Sequence, residues 1–379
     1  MFKRFTKIIL RKFNNLVLGM SCGTGSIINC TTIKTLAVII AILLIFGSCD
    51  KNQAPLPVGE LEHAVFIVNE GNFTAGNASL TYYNQETDEL IQQVFYRKNN
   101  APLGDVANSI FIGTGYIFIT VNNSHTVFKI DAKTGIYNAK IDQLTSPRNF
   151  LKIDEGKALV SDLYENKLTL INIDDMTILS KINIGRTSEN LLLKNNEVFI
   201  TNWSAYNQEA ENNMLMVLNI QSMQIVDSVV VGKEPNSMVI DKDDNIWVLC
   251  SGGFMNEEKP GLWKIHSSTH KVLKTLEYDD IGTSPTDLAI NPAGDSLYFI
   301  NKDVYSMSVN DNSIPVTPLI VAGENLNFYT LAISNKNQIY VGDANDYNKS
   351  GDIFRYSAEG KLITSFKAGI IPGDIAFIE

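Results

Sequence analysis

The sequence predicts an all-β protein: a seven-bladed β-propeller of four-stranded blades, with the N- and C-terminal strands closing one blade. Three observations carry that reading. From His63 onward the helical period is almost absent, and short β-branched or aromatic runs alternate with Gly, Asn, Asp and Pro. A strand that ends in a small polar residue recurs, closing at Asn69, Asn122, Asp162, Asn202, Ser251, Asn301 and Asp343 in steps of 53, 40, 40, 49, 50 and 42 residues. A repeat of about 45 residues carrying four strands is the period of a propeller blade.

The strands of each unit follow in a fixed order. The recurring strands are VFIVN, FITVN, ALVSD, VFITN, IWVLCS, LYFIN and IYVGD. A loop then leads to a second strand of the same character: SLTYYN, TVFKID, LTLINID, LMVLNI, LWKIH, VYSMSV and DIFRYS. A more polar strand comes next, as in ILSKINIG and VLKTLEY. Between units a turn enters a short apolar strand: SPRNFLKI, TSENLLLK, EPNSMVID, SPTDLAIN, NFYTLAIS and IPGDIAFI. The chain enters its first unit on a second strand, at Val65, and ends on a first strand, Ile370 to Ile378. The last strand is therefore expected to complete the sheet that the first begins, which removes free edges.

Residues 1–48 read as a secretory signal rather than as part of the fold. They carry Lys3, Arg4, Lys7, Arg11, Lys12 and Lys34 and no acid, then the apolar run LAVIIAILLIF, Leu36 to Phe46. Eleven apolar residues fall short of the roughly 20 that span a bilayer. Gly47 and Ser48 before Cys49 have the form of a bacterial lipobox, so Cys49 is the expected lipidation site. Residues 49–62, with Pro55 and Pro57, read as a flexible tether, and 63–379 as the propeller.

Removing the signal changes the balance from 31 basic and 41 acidic residues to 25 and 41, a net charge of −16. Such a surface, without a basic stripe, argues against nucleic acid as a partner. Of the four cysteines only Cys250 remains in the fold, which leaves no disulfide framework and no Cys metal site.

In a propeller, the loops joining strands two and three emerge on the same face as the inter-blade turns. That face carries NEGNFTAGN, NNSHT, DLYENK, NWSAYNQEAENN, SGGFMNEEKPG, NKD and DANDYNKSGD. The expected ligand-binding residues are Asn69, Phe73, Asn122, His125, Asp162, Tyr164, Asn202, Trp203, Tyr206, Phe254, Asn301, Asp343 and Tyr347 from the loops. Asp105, Arg148, Asn190, Asn236, Asp287 and Tyr329 join them from the turns. Aromatics flanked by amides suit a large, flat, partly polar ligand. The opposite-face turns NQETDEL, DAKTG, NIDDMT, HSSTHK and SAEGK carry no aromatic residue.

Catalytic patterns are sparse. GxSxG, CxxC, HExxH and phosphate-loop motifs do not occur. The His266/His270 pair falls in an opposite-face hairpin and reads as a solvated turn rather than a metal site. DKDDN, Asp241 to Asn245, lacks the Gly and distal Glu of a calcium loop and reads as a β-turn. Acids at the mouth (Asp105, Glu189, Asp287, Asp374) keep open a metal-dependent hydrolase or lactonase, and a protein or glycan scaffold is a further alternative.

Several segments carry a family likeness: VNEGN (68–72), NASLTYY (77–83), GDVANSI (104–110), VNNSH (121–125), SPRN (146–149), SDLYENKL (161–168), NWSAYN (202–207), INKDVYSM (300–307) and GIIPG (369–373). With these the chain resembles the YncE-like seven-bladed propellers among surface lipoproteins of Bacteroidetes. Within them it is most similar to the cobalamin-binding lipoproteins that partner the TonB-dependent vitamin B12 receptor. The resemblance implies a non-enzymatic, lipid-anchored protein of the outer membrane, exposed at the cell surface. Cobalamin would be its transported ligand, not a catalytic cofactor, and a TonB-dependent receptor its partner.

Overall fold

The computed structural model describes residues 60–206 and 208–378. The signal, Cys49 and the tether up to residue 59 lie outside the described residues. Seven antiparallel sheets make the propeller. The first blade takes its inner strand from the C-terminus: Pro372–Ile378 pairs with Ala64–Asn69, in register from Ala64 opposite Ile378, and Ser79–Asn84 and Leu90–Ile91 follow outward. That pairing is the closure expected from the sequence.

Blade two runs Ala107–Ile112, Tyr116–Val121, Thr126–Asp131 and Tyr137–Ile141, and blade three Pro147–Lys152, Lys157–Asp162, Lys167–Asn172 and Thr177–Asn183. Blade four is Leu191–Lys194, Glu197–Thr201, Met214–Asn219 and Gln224–Val230. Blade five is Pro235–Ile240, Asn245–Cys250, Gly261–His266 and Val272–Glu277. Blade seven is Phe328–Ile333, Ile339–Asp343, Ser350–Tyr356 and Leu362–Ile370. In blade six, Thr286–Ile290, Ser296–Asn301 and Asp303–Ser308 are continuous strands, and Ile320 fills the outer position through a bridge to Val304.

The middle strands are apolar on both faces because each face meets a different blade. Phe66 packs toward blade two with Leu80, Ile117 and Ile119, whereas its neighbours Val65 and Ile67 pack toward blade seven with Tyr340, Ile353 and Ile375. The same alternation sends Phe118 onto Phe150 of blade three, rings stacked at 4.3 Å, and Phe199 toward Val248 and Trp263 of blade five. Burying one such side chain is worth about 1.5–3 kcal/mol, so each of these inter-blade contacts adds materially to stability.

Two readings of the sequence change. The expected tether ends earlier than residue 62: Leu61 is buried against blades one and two, and the Glu62 carbonyl accepts hydrogen bonds from Tyr82 Oη and Asn84 Nδ2, both at 3.1 Å. His270 is no solvated turn residue either. Its ring lies edge-on to Phe199 and between two blade-four carboxylates, with Nδ1 2.8 Å from Asp227 and Nε2 3.1 Å from Glu197. Asp241, by contrast, does shape a turn: Oδ1 accepts the N–H groups of Asp243 and Asn245, while Oδ2 takes Trp247 Nε1 and Lys264 Nζ.

Candidate ligand-binding site

At the entry of the inner strands an Ala or Pro is followed by two polar residues before the apolar run, as in ANSIFI, PRNFLK, PNSMVI and PTDLAI. Those residues stitch one blade to the next. Ser109 Oγ and Asn108 Nδ2 donate to the Arg148 carbonyl at 2.7 and 3.0 Å, and Asn149 Nδ2 donates to the Glu189 carbonyl at 3.2 Å. Asn236 Nδ2 donates to the Pro285 carbonyl at 3.0 Å, and Ser237 Oγ accepts the Leu288 N–H at 2.9 Å. Asp287 accepts the Leu331 N–H, and Asp374 accepts the Ile110 N–H at 2.9 Å. The ring of stitches surrounds an axial cavity of about 400 Å³ to which all seven blades contribute.

Burial and charge shape that cavity. Arg148 binds Glu189 through both Nε and Nη2 at 2.8–2.9 Å; burial opposes its charge, yet the Glu189 carboxylate holds the guanidinium above its ordinary value. Burial raises Glu70 against the opposing hydrogen bond from Tyr329 Oη at 2.8 Å. Burial also pushes Asp287 up to about 6, and burial together with the Asp287 charge pushes Asp374 up to about 7. Tyr329 meets Tyr347 edge to face at 5.9 Å.

A second concavity of about 510 Å³ opens on the rim between blades four and five, lined by Trp203, Gln208, Asn212, Lys233, Phe254 and Met255 among others. Lys233 closes it by pairing with Glu211 at 2.9 Å and Glu257 at 3.8 Å. Trp203, which lines this groove, turns its ring toward the guanidinium of Arg148, which lines the axial cavity, at 5.8 Å. Beside it Tyr164 and Tyr206, both partly exposed, lie ring to ring at 4.4 Å.

Of the expected ligand residues, Arg148, Asn190, Asn236, Asp287, Tyr329 and Tyr347 line the axial cavity, and Trp203 and Phe254 the rim groove. Phe73 is exposed on its loop. The strand-end polar residues turn inward and hydrogen-bond within the fold. Asn69 and Asn202 are fully buried, Asn69 holding Ser79, Thr81 and the Gly369 N–H, and Asn202 holding Thr187, Ser204 and Gln208. Asp162 and Asp343 accept backbone N–H groups of their own blade's entry turn, from Ser146 and Asn327. Asn122 donates to Ser146 Oγ and the Pro147 carbonyl. Each ends a buried strand where the backbone bends into a loop, so its polar atoms satisfy freed backbone groups.

Asp105, His125 and Asn301 also fall outside both concavities. Asp105 ties Thr74 to Asn123, His125 Nδ1 lies 2.6 Å from the Thr145 carbonyl, and Asn301 sits opposite Asp303 across a tight link at Lys302. The sequence reading missed Glu70, Asn108, Ser109, Ser237, Thr286 and Gly373, which line the cavity. For all but Glu70, which follows the second strand of blade one, the signal was the equivalent inner-strand position, already noticed at Arg148 and Asn236. Among the described residues no group of three or more His, Cys, Asp or Glu could hold a metal, and no helix is long and apolar enough to cross a membrane.

Solved propellers match over most of the chain. A quinonprotein alcohol dehydrogenase-like protein from Bacteroides thetaiotaomicron is 17% identical, with a TM-score of 0.68 over 84% of this chain and 79% of its own. A putative 6-phosphogluconolactonase from Bacteroides fragilis is 12% identical, with a TM-score of 0.60 over 84% and 98%. The dihydro-heme d1 dehydrogenase NirN in complex with DHE is 12% identical, with a TM-score of 0.55 over 86% and 77%. At these identities the likeness is one of fold. No curated protein matches the chain. The model of the domain of unknown function DUF5074 matches residues 63–369, and the chain belongs to that family.

Proposed function

We propose that this protein is a surface-anchored lipoprotein, lipidated at Cys49, that captures a corrinoid such as cobalamin at the propeller mouth and passes it to a TonB-dependent outer-membrane transporter. The observation that carries the reading is the contact between the two spaces' linings, where Trp203 of the rim groove faces Arg148 of the axial cavity at 5.8 Å. A broad ring edged with amides needs a shallow platform of aromatic faces beside a polar recess, and Trp203, Tyr164 and Tyr206 flank such a recess. The segments that resemble cobalamin-binding lipoproteins, among them SPRN and NWSAYN, contribute Arg148, Trp203 and Tyr206.

The test is titration of the full-length protein in detergent with cyanocobalamin, followed by gel filtration. One equivalent of visible absorbance eluting with the protein is the expected result; elution of all the colour with free ligand would overturn the reading. A hydrolase reading draws on burial, which pushes Asp287 up to about 6 and Asp374 up to about 7, toward the range where a general base works best. Turnover of a lactone panel, lost in Asp374→Asn, would favour it.

A further inference from the structure

We propose that the axial cavity is a subsite for a neutral primary carboxamide of the ligand, read by Arg148 and Asn190. The inference rests on the corrinoid reading and names the part of the ligand that enters the cavity. A guanidinium has five N–H donors. Glu189 occupies the Nε donor and one on Nη2, and the other donors of Arg148 have no partner among the described residues. Asn190, from the adjacent blade, uses its backbone N–H on Thr201 Oγ1 at 2.9 Å and its carbonyl on the Thr201 N–H at 3.1 Å. Its side-chain carboxamide has no partner among the described residues and lines the same cavity.

These groups are complementary to one kind of guest. A primary amide offers a carbonyl to the Arg148 donors and forms a paired donor–acceptor contact with the Asn190 carboxamide. Its remaining N–H faces Glu70, Asp287 and Asp374, whose carboxylates keep acceptor capacity beyond their protein contacts. A carboxylate guest meets those three acids, while the one cation is already paired with Glu189. An ammonium guest has no acceptor to offer Arg148 and leaves its donors unmet. The cavity, about 400 Å³, lies at the small end of ligand pockets, so it admits a side arm while a large ring rests across the mouth.

The experiment compares binding of cyanocobalamin with that of its monocarboxylic acids, each made by hydrolysing one peripheral carboxamide, to full-length protein in detergent. At least one acid is expected to bind about tenfold or more weakly than the vitamin, and Asn190→Ala to shrink that gap by weakening the amide form. Circular dichroism should be unchanged in Asn190→Ala, because its side chain holds nothing in the fold. Equal affinity for the vitamin and every acid would overturn the subsite and leave vitamin capture standing. If no cyanocobalamin binds, the corrinoid reading fails and the subsite is judged by crystals soaked in acetamide or acetate. Acetamide on Arg148 and Asn190, with acetate excluded, supports it; acetamide absent from the cavity overturns it.

Discussion

Asp374, in the strand that closes the ring, accepts the Ile110 N–H at 2.9 Å, so the C-terminal segment secures the second blade as well as the first. This carboxylate is held protonatable up to about 7 by burial and by Asp287, against an ordinary value of 3.8. A raised carboxylate pKa means the folded state binds the proton more tightly than the unfolded state. Stability from this group is therefore greatest at low pH and falls between about pH 4 and 7, by at most about 1.4 kcal/mol per pH unit. Melting temperatures measured from pH 4.5 to 8 should show Asp374→Asn gaining stability relative to wild type as pH rises, because the neutral carboxamide never has to ionise in its buried site. Parallel curves would remove Asp374 from the account.

His270 works in the opposite sense. Burial lowers its pKa, but hydrogen bonds to Asp227 and Glu197 and their charges outweigh it, so the folded value lies above 6.5. The stabilisation is fully present below the unfolded value and is lost as pH rises through the folded one. His270→Gln should therefore cost more at pH 5.5 than at pH 9, and partial exposure of Asp227 keeps the difference modest. A cost that does not vary with pH would mean that only packing on Phe199 matters.

Asn69 and Phe254 were both legible as mouth residues, and the structure separates them. Asn69→Leu removes the acceptor of the part-buried Gly369 N–H and the donor to Ser79 and the buried Thr81, which costs about 3 kcal/mol. Phe254 is 88% exposed, so Phe254→Ala should leave the denaturation midpoint unchanged. Urea titration of the two variants checks both halves.

The difference between those residues explains how much the sequence could reveal. Blade number and closure were readable because period-two apolar runs and their spacing record burial on both faces, as at Val65, Phe66 and Ile67. Face assignment of a loop was readable too, which brought Trp203 and Arg148 to one end. What the sequence does not record is where a polar side chain spends its hydrogen bonds. Asn69 and Asn190 are the same residue type at neighbouring levels of the mouth, yet one is consumed by backbone groups and the other is open to the cavity. The His270 ion pairs joined blades four and five across 43 and 73 residues, a distance that local patterns cannot bridge.

Gly252 and Gly253 set the loop that carries Phe254. Both have left-handed φ angles, +84° and +97°, and a Cβ on Gly252 would lie 2.5 Å from the Glu258 carbonyl oxygen. Gly252→Ala should therefore shift the loop and weaken ligand binding more than Phe254→Ala does, with a stability cost of about 1–3 kcal/mol. Comparable affinities in the two variants would show that the loop backbone is not part of the platform.

Trp203 and Tyr206 stand on the rim rather than in the inter-blade core: Trp203 faces Arg148 of the axial cavity, and Tyr206 lies against Tyr164. Replacing either by Ala removes an aromatic face, worth about 1–3 kcal/mol of ligand contact, and exposes no buried strand. Calorimetric titration with cyanocobalamin should show affinity reduced about tenfold or more in each variant, with melting temperatures within a few degrees of wild type. A fall of tens of degrees with affinity retained would make these aromatics part of the scaffold. The double variant discriminates further: since Trp203 is tied to Arg148 and Tyr206 to Tyr164, the two losses should add if the ligand covers both faces independently.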